Sequence, residues 1–321
     1  MSKVISKNIL KGMYITMLRI RKLEERVGDL VLEGKIKTPC HLYIGEEAVA
    51  TGVCFALKKE DFIFGTHRSH GHYIAKGGDI KKLMAEIFCK KTGCSKGKGG
   101  SMHVVAPEIG LLGTPPIVAA SIPIAVGTAL SSVLRKNNRV SVSFFGDGAT
   151  NEGVFYESLN FASLRKLPVV FVCENNFYST HMPIVKTLAD TNIAKKAEGF
   201  NMPGIRIDGN DVILVYQTAK KAVENARRGK GPTLIECQTY RWRGHVGPCD
   251  DLDKGLRSRK ELDFWMKKCP IKKLENILKI SNLEKERISK KIEKEVEEAV
   301  AFAKKSPSPK KDDLAKDIFK S

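Results

Sequence analysis

The stretch Val140-Ser141-Val142-Ser143-Phe144-Phe145 runs directly into Gly146-Asp147-Gly148-Ala149 and predicts an apolar strand that ends in a glycine-flanked carboxylate. A short run of β-branched and aromatic residues is typical of a strand buried in a sheet. The two glycines permit backbone angles that a β-carbon forbids, and they let main-chain amides approach an anion. A simple strand-to-helix turn would also use such glycines, so this motif alone leaves the function open.

A second apolar segment, residues 168–173, ends in Glu174-Asn175-Asn176-Phe177-Tyr178. The carboxyl ends of parallel strands meet at one edge of a sheet, so Asp147 and Asn176 are expected to lie together. A carboxylate and an amide oxygen suit a Mg²⁺ ion that carries a diphosphate, because Mg²⁺ takes its remaining oxygens from phosphate and water. The helix expected from Glu152 onward would direct its N-terminal amides toward the same anion.

Strands and helices continue to alternate along the rest of the chain. Strands are predicted at 204–207 and 232–240, with a helix at 211–228 between them. This alternation predicts an α/β fold with a doubly wound, mostly parallel sheet flanked by helices on both faces. Amphipathic helices are predicted at 6–33 and 284–304, and a helix of small residues at 115–134.

Composition limits the function classes. The chain has 321 residues, 42% of them hydrophobic and 28% charged, which fits a soluble globular protein. The absence of a long apolar run and of a signal peptide predicts a cytoplasmic protein without a membrane segment. The net charge of +19 suits an acidic partner, with nucleic-acid binding as the remote alternative. Eight cysteines without any Cys-x-x-Cys pair indicate neither a disulfide framework nor a zinc site.

The segment Thr66-His67-Arg68-Ser69-His70-Gly71-His72 places three histidines around one arginine. Its His-x-x-His-x-His spacing permits zinc ligation, although no cysteine lies close and the carboxylates are several residues away. Arg68 suits a phosphate better, because its fork of donors matches an oxyanion and stays charged. The two interpretations stay open at this point.

Taken together, the motifs resemble the alpha subunit of the thiamine-diphosphate-dependent first component of 2-oxoacid dehydrogenase complexes, of the pyruvate and acetoin dehydrogenase type. The resemblance covers roughly residues 8–305. Five motifs carry it: Pro-Cys-His-Leu-Tyr-x-Gly-Glu-Glu-Ala from Pro39, Arg-x-His-Gly from Arg68, Gly-Lys-Gly-Gly-Ser-Met-His from Gly97, Gly-Asp-Gly-Ala from Gly146 with Glu-Asn-Asn-x-Tyr from Glu174, and Gln-Thr-Tyr-Arg-x-x-Gly-His from Gln238.

The resemblance implies roles for particular residues. Asp147, Asn176 and the backbone carbonyl of Tyr178 would hold Mg²⁺. His41 would face the substrate and His245 would contact phosphate, and these two are the catalytic candidates. The remaining cofactor-binding candidates are His67, Arg68, Val118, Gly148 and Ala149.

The resemblance also implies an assembly and a reaction. A beta subunit would complete an α2β2 heterotetramer and supply the glutamate that activates the cofactor. The substrate would be a small 2-oxo acid, with pyruvate favoured, and the acyl group would pass to a lipoyl carrier on an acyltransferase component. Acetoin dehydrogenase, or a decarboxylase or carboligase without lipoyl transfer, is the alternative. Residues 1–260 would form the thiamine-diphosphate-binding domain with its N-terminal helix, and 261–321 a helical C-terminal extension.

Three departures from the family pattern bear on the substrate. His67 stands where the family has tyrosine, and Pro116 stands where it has glycine. The loop after His245 begins with Val246 where relatives often carry a phosphorylated serine. We expect residues 246–259 to be mobile without cofactor and ordered with it, held by Asp250, Asp251 and Asp253 facing Arg257 and Arg259.

Overall fold

The computed structural model describes residues 5–252, 255–313 and 315–316, and a parallel six-stranded sheet forms its centre. The strands of this sheet are β1 (Phe62–Phe64), β2 (Leu111–Gly113), β3 (Ser141–Gly146), β4 (Val169–Asn175), β7 (Gly204–Asp208) and β8 (Thr233–Gln238). Their spatial order is β2-β1-β3-β4-β8-β7. A separate antiparallel pair consists of β5 (Tyr178–Ser179) and β6 (Met182–Pro183).

Helices surround the sheet. They are α1 (Lys7–Leu32), α2 (Glu47–Phe55), α3 (His70–Ala75), α4 (Ile80–Ile87), α5 (Ser121–Leu134), α6 (Gly153–Leu164), α7 (Val212–Arg227), α8 (Arg259–Lys267), α9 (Pro270–Leu278) and α10 (Asn282–Lys305). The predicted α/β class and the doubly wound sheet are therefore confirmed. Among the described residues, no helix combines the length and apolar character needed to cross a bilayer.

Alternate residues of the central strands supply two separate cores. Val142 and Phe144 of β3 pack into the core that contains α1, α2 and α7, whereas Phe145 packs into the core formed by α5 and α6. Side chains of a strand point to opposite faces in turn, so an apolar run fills both layers at once. This requirement explains why the decisive stretch is continuously apolar.

The sheet order brings four strand ends together. β1, β3, β4 and β8 are neighbours, and all of them run in the same direction. Their carboxyl ends lead into the segments that contain His67 and Arg68, Asp147, Asn176, and His245 respectively. Residues separated by up to 178 positions in sequence are thereby placed at one edge of the sheet.

The C-terminal helix α10 packs against α1 and α4. Its glutamates pair with basic residues of α1, among them Glu284 with Lys11 at 2.6 Å and Glu297 with Arg26 at 2.7 Å. Some of the charged residues in the C-terminal region thus form ion pairs between α10 and α1. These exposed pairs contribute little stability individually, typically below about 1 kcal/mol.

Two sequence expectations need correction. The helix predicted at 115–134 begins only at Ser121, because residues 115–120 form a loop at the carboxyl edge of the sheet. The interpretation of His67, His70 and His72 as ligands of one zinc ion was wrong. His70 lies between Glu24 and Ser101, with ring-nitrogen distances of 3.0 and 2.9 Å, and His72 lies 3.0 Å from a carboxylate oxygen of Glu174. Buried carboxylates, not a shared ion, hold these two rings.

Candidate functional site

A cavity of about 230 Å³ opens at the carboxyl ends of the four neighbouring strands. Such an edge is where doubly wound sheets bind ligands. The structure brings together every site residue predicted from the sequence. The lining includes His41, His67, Arg68, Val118, Asp147, Gly148, Ala149, Asn176, Tyr178 and His245.

Asp147 is the buried anion of the site. Only 2% of the residue is exposed, and its Oδ2 atom has no hydrogen-bond partner. Burial raises the pKa of Asp147 to about 7 from its ordinary 3.8. An unpaired carboxylate oxygen in such a place is costly unless a cation or donor meets it. The residue is therefore suited to a metal ion.

Asn176 follows β4 and faces the same cavity. Its side-chain amide nitrogen donates to Oε1 of Glu46 at 3.0 Å, and its Oδ1 accepts from the backbone N–H of Tyr178 at 3.3 Å. Glu46 thus fixes which end of the amide is the oxygen and which is the nitrogen. The oxygen that Mg²⁺ would need is left on the Tyr178 side.

Glu46 also lines the cavity, and sequence reasoning did not single it out. It is 1% exposed, and its Oε2 lies 3.6 Å from Nε of Arg68. Burial raises the pKa of Glu46, and the neighbouring Arg68 opposes that rise. The only sequence signal was its place in the motif that starts at Pro39.

Gly148 owes its identity to close approach. A β-carbon there would lie 2.9 Å from Cβ of Ser179 and closer still to the Ser179 hydroxyl. Residues 147–151 form a short 3₁₀ turn before α6. The main chain beside Asp147 consequently lines the cavity, where an anion can approach it, and on its other side it contacts Ser179 of β5.

Arg68 is buried, and its guanidinium is already engaged. It donates to the carbonyl oxygens of Leu42 at 2.9 Å and His245 at 3.2 Å. The contact with His245 attaches the β1 end to the segment after β8. Any phosphate contact by Arg68 would use donors beyond these two bonds.

Arg241 is a second arginine that the sequence did not flag. It lines the cavity and is 1% exposed, and burial lowers its pKa to about 10. Its guanidinium donates to the carbonyls of Thr180 and Arg243, the latter at 3.1 Å, and to a carboxylate oxygen of Asp251 at 3.4 Å. A buried cation at the cavity would reinforce the binding of an anion there.

The loop after His245 folds back on Arg241. Asp251 is buried and pairs with Arg257, and Asp250 lies 3.7 Å from Arg259. The predicted meeting of these acidic and basic groups is thus confirmed for both pairs. Asp253, which shared that expectation, lies outside the described residues.

Three imidazoles line one side of the cavity. The ring centroids of His41 and His67 are 4.6 Å apart, and that of His245 lies 4.9 Å from His41. Burial, aided by the charge of Arg68, lowers the pKa values to about 3 for His41, about 2 for His67 and about 4 for His245. All three rings are neutral at neutral pH, so they offer lone pairs or N–H donors without adding charge.

Val118 and Tyr178 complete the lining. Val118 is 54% exposed on the loop before α5, next to Ala119, whose backbone has a left-handed φ of 65°. A left-handed alanine is uncommon and marks a constrained loop. Tyr178 directs its hydroxyl to Glu261 at 2.8 Å, so its main chain, not its ring oxygen, is available to the site.

The sheet and its polar cavity define a cofactor-binding enzyme of the doubly wound α/β class. The family described as "Dehydrogenase E1 component" matches residues 15–312. The chain belongs to this family, as the five motifs predicted.

Similar proteins agree with that assignment. The chain is 45% identical over 316 residues to the alpha subunit of acetoin:2,6-dichlorophenolindophenol oxidoreductase from Bacillus subtilis (strain 168), covering 96% of this chain and 93% of the relative. It is 42% identical over 326 residues to the pyruvate dehydrogenase E1 component subunit alpha of Porphyra purpurea, covering 98% and 94%. The corresponding subunit of Rhizobium meliloti (strain 1021) is 40% identical over 314 residues, covering 95% and 88%. The expectation of an alpha subunit of a thiamine-diphosphate-dependent oxidoreductase is confirmed.

Proposed function

We propose that this chain binds the diphosphate of thiamine diphosphate, with Mg²⁺, and acts in the oxidative decarboxylation of a 2-oxo acid, pyruvate foremost. The observation that carries this proposal is the unpartnered Oδ2 of buried Asp147, which lies between two glycines at a strand end and lines one cavity with Asn176. A hard divalent cation satisfies that oxygen and removes the penalty of a buried charge.

The residues present fit the group. Asp147, the amide oxygen of Asn176 and the carbonyl of Tyr178 would hold Mg²⁺, which prefers oxygen ligands and keeps several waters or phosphate oxygens. Gly148 and Ala149 would present backbone to the diphosphate. Two buried arginines line the same cavity and would offset its negative charge.

When bound, thiamine diphosphate supplies a carbanion that adds to the substrate carbonyl and accepts electrons after decarboxylation. The protein groups around it bind and orient. Val118 presents an apolar surface to the cofactor from the loop before α5. The neutral rings of His41 and His245 can each donate one N–H to a carbonyl or carboxylate and can carry a proton at a ring nitrogen.

A beta subunit is the partner that an E1 alpha chain implies. We propose an α2β2 heterotetramer in which the cofactor lies between the two kinds of subunit, and a lipoyl group on an acyltransferase component as the acyl acceptor. Val118 and its neighbour Ile117, 71% exposed, leave apolar surface at the mouth of the cavity. Such surface beside a site supports a partner that closes it.

Acetoin is the second candidate substrate. The observation in its favour is the 45% identity to the alpha subunit of the Bacillus subtilis acetoin oxidoreductase, beside 42% to the Porphyra purpurea pyruvate dehydrogenase subunit. Acetoin lacks the carboxylate of a 2-oxo acid, so charged groups at the cavity would contribute less to its binding.

The test begins with the chain coexpressed with its beta subunit. Calorimetry at saturating Mg²⁺ should show thiamine diphosphate binding that Asp147→Ala abolishes, whereas Asp263→Ala, an exposed matched control, should retain it. Turnover of pyruvate, other 2-oxo acids and acetoin with an artificial electron acceptor then identifies the substrate. Unchanged cofactor affinity in Asp147→Ala contradicts the proposed site, and turnover of acetoin alone contradicts the pyruvate assignment.

A further inference from the structure

We propose that His41, His67 and His245 form a binding site for a borderline transition-metal ion, Zn²⁺ foremost, separate from the oxygen ligands proposed for Mg²⁺. Each of these residues offers one ring nitrogen, and the three nitrogens lie within 4.8 Å of one another. Imidazole nitrogen is a preferred ligand of zinc, whereas Mg²⁺ prefers oxygen. The chemistry of the donors therefore separates the two sites.

The three rings are free to coordinate. Nδ1 of His41 is buried without a hydrogen-bond partner, and the side chains of His67 and His245 make no hydrogen bond to the described residues. Other histidines of the fold differ: His70 and His72 are each held by a buried carboxylate. A ring that is already bonded at its nitrogens cannot bind metal without losing that bond, so the free trio is distinctive.

The geometry needs only a modest contraction. Nitrogens bound to one tetrahedral zinc at ~2.0 to 2.1 Å lie ~3.3 Å apart, which is within reach of side-chain rotation from the present separations. Three protein nitrogens leave the fourth position open toward the cavity. Zinc sites with three protein ligands and one open position hold water or a small ligand there.

The surrounding charges do not forbid a dication. Arg68 and Arg241 lie near the rings, and each has an anionic neighbour: Glu46 lies 3.6 Å from Arg68, and Asp251, which also pairs with Arg257, lies 3.4 Å from Arg241. These carboxylates offset part of the arginine charge, so the repulsion felt by the ion is reduced but not removed. All three imidazoles are neutral at neutral pH, so no proton must leave before coordination.

The consequence for function rests on the proposed function. The trio lines the cavity assigned to thiamine diphosphate, so a zinc ion there would occupy space and ligand nitrogens needed by substrate and cofactor. Zinc should therefore weaken cofactor binding. Cofactor binding measured without zinc tests the proposed function, and metal binding measured without cofactor tests the three-histidine site. A failure of one proposal can therefore be distinguished from a failure of the other.

The experiment uses the chain assembled with its beta subunit, stripped of metal and held at saturating Mg²⁺ so that the oxygen site is filled. Co²⁺ replaces Zn²⁺ as a visible probe. We expect one Co²⁺ per chain with the intense visible absorption of a four-coordinate nitrogen site. Zn²⁺ should displace it. His67→Gln and His41→Gln should each weaken Co²⁺ binding at least about tenfold, the effect that even indirect disruption of a metal site has.

His103→Gln is the matched control, because His103 is exposed and outside the cavity, and its Co²⁺ affinity should equal that of the unaltered protein. Cys249→Ser is a second control, since Cys249 is an exposed free thiol near His245 in sequence. Equal Co²⁺ affinity in His67→Gln and the unaltered protein overturns the proposal. A spectrum dominated by thiolate-to-cobalt charge transfer that Cys249→Ser abolishes also overturns it.

Discussion

Replacing Asp147 by asparagine should stabilise the cofactor-free protein while abolishing its response to Mg²⁺. Asp147 is 2% exposed, and Oδ2 has no partner. Asparagine has nearly the same size but carries no charge. The change removes the free-energy penalty of a buried carboxylate in the cofactor-free protein. It also removes the anionic ligand proposed for Mg²⁺.

The magnitude follows from the raised pKa of Asp147. A folded-state pKa of about 7, against an ordinary 3.8, corresponds to up to about 4 kcal/mol at about 1.4 kcal/mol per tenfold change in proton affinity. Between these two values the folded state binds a proton that the unfolded state has released, so the free energy of unfolding falls as pH rises. The full penalty is present above the folded pKa. The advantage of Asp147→Asn should thus grow from about 2 kcal/mol at pH 5 to about 4 kcal/mol at pH 8.

Scanning calorimetry of the assembly with the beta subunit measures this difference in stability directly. At pH 8 without cofactor, Asp147→Asn should raise Tm by up to about 8 °C relative to the unaltered protein, with a smaller gain at pH 5. Adding thiamine diphosphate and Mg²⁺ should reverse the order, because only the aspartate protein gains binding energy. Asp263→Asn, exposed, should change neither comparison. A Tm difference independent of pH, or equal stabilisation of both proteins by cofactor, refutes the reasoning.

Further substitutions probe the rest of the cavity. Arg68→Ala should weaken thiamine diphosphate binding by ~1.5 to 3 kcal/mol in calorimetry, with Arg68→Lys recovering only part, and unchanged affinity would place the phosphates elsewhere. Gly148→Ala should lower cofactor affinity because the added β-carbon would clash with Ser179, and Ser179→Gly in the same chain should restore that affinity. If affinity is not restored, the conformational freedom of the Gly148 backbone matters more than the contact with Ser179. Limited proteolysis should cut at Arg259, 66% exposed in its side chain, faster without cofactor and faster still in Asp251→Ala; equal rates would exclude coupling of this loop to the cofactor.

Several features of the fold could be predicted from local pattern. The period of apolar residues located α1 over nearly its full length, and the apolar runs located β3 and β4 to within two residues. Local pattern failed at the start of α5, where Ala119 and Ala120 look like helix but belong to the cavity loop. Helix propensity is a weak preference, and the need to line a cavity overrode it there.

The histidines near β1 show most clearly what could not be predicted from the sequence. By spacing, His67, His70 and His72 were equivalent candidates for one metal ion. In the fold, α3 turns His70 and His72 toward buried carboxylates, while His67 joins His41 and His245 from two other segments. The spacing of residues along the chain does not show where their side chains point, so the cluster of His41, His67 and His245 could not be predicted from the sequence.

The sequence by itself determined the chemistry of the site: a carboxylate between glycines after one strand, an amide after the next, and an arginine and histidines after two more. These residue types can be recognised from the local sequence, because each of them directly follows a predicted strand. Only the tertiary structure decided which of them share one cavity, since strand order joins β1, β3, β4 and β8 across long stretches of chain. It also revealed Glu46 and Arg241, whose importance arises from burial and from partners far away in sequence, and no local pattern encodes either property.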